Sequence, residues 1–184
     1  MAKTLKFEID VVNLFNSTTS SAALKRAAAS TLSDASFRRE FGRRLVDRIT
    51  QRTQSGIDMK GSPLAAYKKS YVKSLEFEIY GKKEGEVNLT LTGEMLASMD
   101  VKDTPPRKVV IGFQSDLQND KAHGHVYGGG YKRSLPVRNF FGLPLGAQKE
   151  ILLDTMRDFN APVTVFDLPD TEPTPSDGGT GFNF

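Results

Sequence analysis

Phe37, Phe41, Leu45 and Ile49 recur every four residues through a run, 37–52, that contains no proline and a single glycine. At about 100° per residue this spacing lays one apolar ridge along a helix, so it predicts a long amphipathic helix capped by Ser33 or Asp34. Such a ridge must be buried against another layer, and the rest of the chain has to supply that layer. Arg44, Arg48 and Arg52 form a second ridge beside the first, roughly 60° around the helix, and Arg38, Arg39 and Arg43 add to the basic character. Two readings of these arginines are open: a solvated face with partners such as Glu40 to Arg44, or a surface that meets a neighbouring subunit or nucleic acid.

The other segments predict a small sheet and a second helix. Leu5, Phe7, Ile9 and Val11 alternate with charged residues, the period of a half-buried strand. The polar stretch 16–21 offers several caps for a short alanine-rich helix or linker from Ala22, whose thin apolar face points to support from elsewhere in an assembly. Val87, Leu89 and Leu91 alternate again and predict a strand over 86–92. Thr92 is then the expected N-cap of a short helix carrying Met95, Leu96 and Met99. The run 108–113 reads as a buried strand, joined to 99–102 by a hairpin-like turn through Asp103-Thr-Pro-Pro. Pro144 opens a final helix with Leu152, Met156 and Phe159 on its core face, ended by 160–162. Together these predict an α+β fold, a small and mainly antiparallel sheet packed against one long helix and a C-terminal helix.

Composition decides the domain count and excludes several chemistries. At 184 residues the chain fits one domain, residues 1–166, with an N-terminal strand and helical arm. Residues 167–184 form an acidic, Pro/Gly-rich tail without Lys or Arg, a composition that buries too little apolar area to offset its ordering entropy. Its Asp167, Asp170, Glu172 and Asp177, with Phe182 and Phe184 as anchors, suit a basic surface such as the long helix of an adjacent copy. No apolar run is long enough for a membrane span and the N-terminus lacks a signal-type apolar region. Cysteine is absent, which removes disulfides, thiolate metal sites and cysteine nucleophiles. The histidines, His123 and His125, lack a third and fourth ligand, so no metal is expected; His125 is expected to bond backbone in a glycine loop and His123 to be exposed. Nucleotide, hydrolase-elbow and zincin motifs are missing, and the expectation is therefore no catalytic residue, no cofactor and no enzyme. Residues 1–85 carry 16 Lys/Arg against 9 Asp/Glu, and residues 86–184 carry 9 against 13. That asymmetry fits a nucleic-acid contact, or one copy's basic face meeting the next copy's acidic face in a ring.

Four motifs remain. Ala122, His125 and Gly128 make A-x-x-H-x-x-G, and Pro136, Arg138, Phe140 and Gly142 make P-x-R-x-F-x-G between Leu135 and Leu143. Upstream, Arg52, Gly56, Gly61, Pro63, Tyr67 and Tyr71 fall in R-T-x-x-G-x-D-x-x-G-x-P-x-x-x-Y-x-x-x-Y, and Leu91, Thr92, Gly93 and Ser98 in L-T-G-x-x-x-x-S. In this order the motifs resemble those of the small neck proteins of tailed bacteriophages, the tail-completion or virion-morphogenesis family. The resemblance covers roughly residues 37–145. It implies a structural virion protein, assembled in the host cytoplasm, that forms a homo-oligomeric ring, a hexamer by analogy. The ring would sit in the neck between the portal-bound adaptor and the tail, with DNA passing through its lumen without sequence readout. Its partners would be other copies of itself and adjacent neck, adaptor or tail-terminator proteins. In this reading Arg138, Phe140 and Phe141 fix the loop to the body. Two other readings stay open: a nucleic-acid-binding protein using the basic helix, and a tail-terminator or tail-tube subunit.

Overall fold

The computed structural model describes residues 4–90, 92–129 and 135–161, so the expectations for Leu91 and for the tail lie outside the described residues. The fold is α+β, as the sequence predicts.

Strand β1 is Phe7–Asp10, shorter than the alternation Leu5–Val11 suggests. The alternation tracks burial beyond the strand, since Leu5, Ile9 and Val11 are all buried. The ladder stops because Asp10 Oδ1 accepts the Asn13 amide at 2.9 Å and starts helix α1, Val11–Asn16. Ser21 caps helix α2, Ala22–Ser33, whose Ala28 and Leu32 are buried within this same chain. Asp34 caps helix α3, Ala35–Gln54, and the ridge Phe37, Phe41, Leu45 and Ile49 has 0% exposure along its whole length.

Two short helices follow, α4 at Lys69–Val72 and α5 at Leu75–Ile79. The strand expected over 86–92 is not a strand. Leu89 sits at φ +53°, and the Asn88 carboxamide oxygen accepts from the Thr90 hydroxyl at 2.7 Å, a local turn that interrupts extension. Val87 dips into the core from an irregular segment, which is enough to produce the alternation without a ladder. Thr92 is not a cap either. Helix α6, Glu94–Ala97, is preceded by Gly93 at φ +76° with no side-chain cap, and Met99 belongs to the next strand.

Strands β2, Met99–Asp103, and β3, Lys108–Phe113, form the predicted hairpin. The sheet runs β1-β3-β2, all antiparallel, with Ile9 opposite Val109, Val101 opposite Ile111 and a bulge between Val101 and Asp103. The sheet's Ile9, Met99, Val109, Ile111 and Phe113 share one buried cluster with the α3 ridge. Gly42 makes the approach close: a Cβ there would lie 2.6 Å from Val101 Cγ2 and 2.9 Å from Val109 Cγ1.

Helix α7, Asp116–Tyr127, occupies what the sequence reads as a glycine loop. Ser115 caps it through the Gln118 amide, and Gly128 at φ +74° ends it. Its buried residues are Gln118, Asn119, Ala122 and Gly124, so it lacks an apolar stripe to announce it. Helix α8, Leu145–Asp158, follows Pro144 and buries Leu152 and Met156. Phe159, expected on its core face, is the C-cap, 36% exposed, with its ring edge-on to Phe37 at 5.4 Å. Among the described residues no helix is long and apolar enough to cross a membrane.

Candidate functional site

Segments far apart in sequence meet around the Pro136–Leu143 turn, at the C-terminal end of α3. The turn places Arg138 inward, with 4% exposure. Its guanidinium donates from Nε to the Ala65 carbonyl at 2.8 Å and from Nη2 to the Ala66 carbonyl at 3.1 Å. Nη1 lies 3.3 Å from His125 Nδ1. A guanidinium only donates, so Nδ1 is the acceptor and the imidazole carries its proton on Nε2. The Arg138 amide also donates to the His125 carbonyl at 2.7 Å, which ties the turn to α7 twice. Burial, helped by the Arg138 charge, lowers His125 to about 4, so this histidine is neutral at ordinary pH. Burial likewise lowers Arg138, but its acceptors keep it a cation.

Arg52 grips the same turn from the other side. It donates from Nη1 to the Gly142 carbonyl at 2.9 Å and from Nη2 to the Phe140 carbonyl. Phe140 and Phe141 are buried beneath, and Phe141 meets Phe113 at 5.3 Å and Phe7 at 6.2 Å. This agrees with the expectation that Arg138, Phe140 and Phe141 fix the turn to the body.

The 56–63 loop is shaped by Asp58, whose Oδ1 accepts the amides of Lys60 at 2.8 Å and Ser62 at 2.9 Å. Ile57 and Pro63 form a bridge, and the Met59 amide donates to the Asn139 carbonyl at 2.8 Å, joining this loop to the turn. Gly56 needs to be glycine: it sits at φ +78°, and a Cβ would lie 2.9 Å from the Val87 carbonyl oxygen. Gly61 and Gly142 also adopt positive φ. Tyr67 lies under Arg138, whose guanidinium carbon is 5.4 Å from the ring centre. Tyr67, Tyr71 and Phe77 pack mutually, each pair of ring centres 5.4 Å apart.

The motif residues therefore divide. Arg52, Gly56, Gly61, Pro63, Tyr67, Tyr71, His125, Gly128, Pro136, Arg138, Phe140 and Gly142 belong to one clasp or its edges. Ala122 is buried in α7 below His125, whereas Thr92, Gly93 and Ser98 lie around α6 and join β2 instead. His123 is half-buried rather than exposed, and its ring is 4.5 Å from that of Tyr127. On a helix, residues two apart point roughly 200° from one another, so His123 and His125 cannot share an ion as they would on a strand. Among the described residues no group of three or more His, Asp or Glu is placed to hold a metal.

The arginine ridge is partly exposed, and its members have partners within the chain. Arg44 pairs with Glu40 at 3.0 Å, the partner expected, and with Asp158 of α8 at 2.6 Å. Arg48 pairs with Glu150 at 3.3 Å, and Arg52 holds the turn. Within this chain the side chains of the ridge engage α8 and the 140–142 turn.

Sequence reasoning missed a cavity of about 770 Å³ that opens beside Arg138 and Tyr71 and includes Lys82, Leu89 and Thr90. It also missed the carbonyls of Ala65 and Ala66. Backbone acceptors leave no residue-type signal, and Lys82 stands in a run of ordinary surface charges. No family model, curated protein or solved structure matches this chain.

Proposed function

We propose that this chain is a structural subunit of a tailed-phage virion, forming a ring in the neck that joins head to tail around the DNA channel. The observation that supports this reading is the convergence of three of the four motifs on one clasp. Arg52 and Arg138 spend their donors on carbonyls of the turn and of the 63–66 segment, and His125 accepts from Arg138. Groups committed in this way hold backbone in place. A scaffold presenting a fixed turn suits an assembly protein, and the motif order resembles that of the neck family.

The rival nucleic-acid reading relied on Arg44, Arg48 and Arg52, which have partners within the chain. Phosphate binding through that ridge requires these pairs to break first. In the proposed role the protein meets DNA only as the wall of a lumen.

Electron microscopy of the purified protein tests the ring, with rings of uniform diameter, hexameric by analogy, as the expected outcome. Labelling of the protein in intact particles should place it at the head–tail junction. A protein that stays monomeric at all concentrations and is missing from purified particles would refute the reading.

A further inference from the structure

The cavity beside the clasp combines two features that rarely occur together without an occupant. Its walls are apolar and aromatic, from Tyr67, Tyr71, Leu89, Leu135 and Pro136. Lys82 and Arg138 are cations among its lining groups, and among the described residues that line it none is Asp or Glu. Lys82 Nζ donates to Asn88 Oδ1 at 2.9 Å and Thr90 Oγ1 at 3.3 Å, both neutral oxygens, and Arg138 rests on carbonyls and a neutral imidazole. Burial without an opposing charge lowers the Lys82 pKa. At about 770 Å³ the cavity lies in the range of ligand-sized sites, roughly 300–1,000 Å³. An occupant that is both apolar and anionic would satisfy it.

This chain contains such a segment. Residues 162–184 include Asp167, Asp170, Glu172 and Asp177 and no Lys, Arg or His, and Phe182 and Phe184 follow Asp177 closely. The surface first expected to receive it, the α3 ridge, already has the carboxylates of Asp158 and Glu150 on it. Reach selects which part of the segment can dock. The described chain ends at Ala161, just beyond Phe159, which packs on Phe37 at the start of α3. The cavity lies towards the other end of that helix, about 25 Å away at 1.5 Å per residue. Phe166 is five residues past Ala161 and extends at most ~17 Å, so it cannot reach its own chain's cavity, whereas Asp177 extends up to ~55 Å.

We propose that the cavity is the receptor for the segment Asp177–Phe184 of this chain, taking the Phe182 and Phe184 rings against its apolar walls and the Asp177 carboxylate at its cationic rim. The inference goes beyond the neck-ring reading and does not require it, because a docked segment is detectable in the purified protein whatever the particle.

The absence of cysteine gives a clean background for the test. The full-length chain carrying Ser70→Cys and Asn183→Cys should form a disulfide in most molecules under mild oxidation. Lys102→Cys on strand β2, paired with Asn183→Cys, should yield less than a tenth as much. A bond within one chain and a bond between two copies both support the docking, and mobility on a non-reducing gel tells them apart. Adding Asp177→Lys should lower the Ser70–Asn183 yield at least threefold, and Lys82→Glu in the same chain should restore it. Asp177→Lys changes none of the residues of the core cluster, so its effect is readable even if Lys82→Glu alone unfolds. Equal yields at positions 70 and 102, or a yield indifferent to Asp177→Lys, overturn the proposal.

Discussion

The ridge of α3 and the Arg138 side chain at the centre of the clasp are both buried, yet they are held by opposite means. Around α3 the contacts are apolar: Phe37, Phe41, Leu45 and Ile49 against Val109, Ile111 and neighbours in one cluster. Stability there scales with area removed from water and declines by degrees as methylenes are removed. In the clasp, two guanidiniums hold carbonyls from two segments, 65–66 and 140–142, and the contacts are directional. Desolvating a guanidinium is costly, and the carbonyl acceptors of Arg138 and of the Arg52 Nη atoms offset that cost, while Arg52 Nε is buried without a partner. The lesson is that burial measures different things at the two places, apolar area removed from water at one and the pairing of polar groups at the other.

The comparison can be broken first at its apolar end. Phe41→Ala, at a site with 0% exposure, should cost about 3–5 kcal/mol. Phe41→Leu should recover much of that in chemical denaturation. If both variants lose equally, graded behaviour of the core is refuted. Arg138→Ala is expected to cost about 2–4 kcal/mol, because the Ala65 and Ala66 carbonyls and His125 lose their donor together. Here Arg138→Lys should recover little, since an ammonium cannot span the same acceptors. Unchanged thermal stability with weakened DNA binding would instead move Arg138 out of the clasp and into a nucleic-acid surface.

A pH titration sharpens the difference further. His125 is near 4 when folded and close to 6.5 when unfolded, so the unfolded chain binds the extra proton between those values. Its stabilising contribution is complete above pH 6.5 and is lost as pH falls towards 4, by about 3 kcal/mol in all. Denaturation midpoints for the parent chain and His125→Gln should converge over that window, and parallel curves would argue against a buried neutral imidazole. The smallest effect is expected at Arg48, whose pair with Glu150 has both side chains about half exposed. Arg48→Ala should change stability by less than about 0.5 kcal/mol, a difference that 0.5 M salt should erase.

What was legible in the sequence follows the same division. The period-four ridge of α3, the Leu152 and Met156 face of α8 and the β2–β3 hairpin announce themselves because apolar burial selects residue types at regular spacing. Helix α7 was not legible, because Gln118, Asn119, Ala122 and Gly124 are its buried positions. Residues 86–90 misled in the other direction, since Val87 is buried and Leu89 packs against the core although Asn88 and Leu89 turn the chain. At the candidate site the motifs named most of the participating side chains. They could not name the acceptors, because a carbonyl is present at every residue and only the fold decides which ones Arg52 and Arg138 reach. The direction of the arginine ridge was likewise hidden until α8 supplied Asp158 and Glu150 opposite it.

The hydrogen that stands in for a side chain at Gly42 has a consequence for insertions and deletions. With Val101 and Val109 methyls lying where a Cβ would be, α3 sits on the sheet like a key in a slot. Inserting or deleting one residue on either side turns the following helix by about 100° and brings Phe41 or Arg43 into that slot. Neither fits there, and no slide along the strands restores a glycine. Length changes should therefore be rejected between Phe37 and Ile49 and accepted in exposed stretches such as 81–86, where the backbone has no such mate.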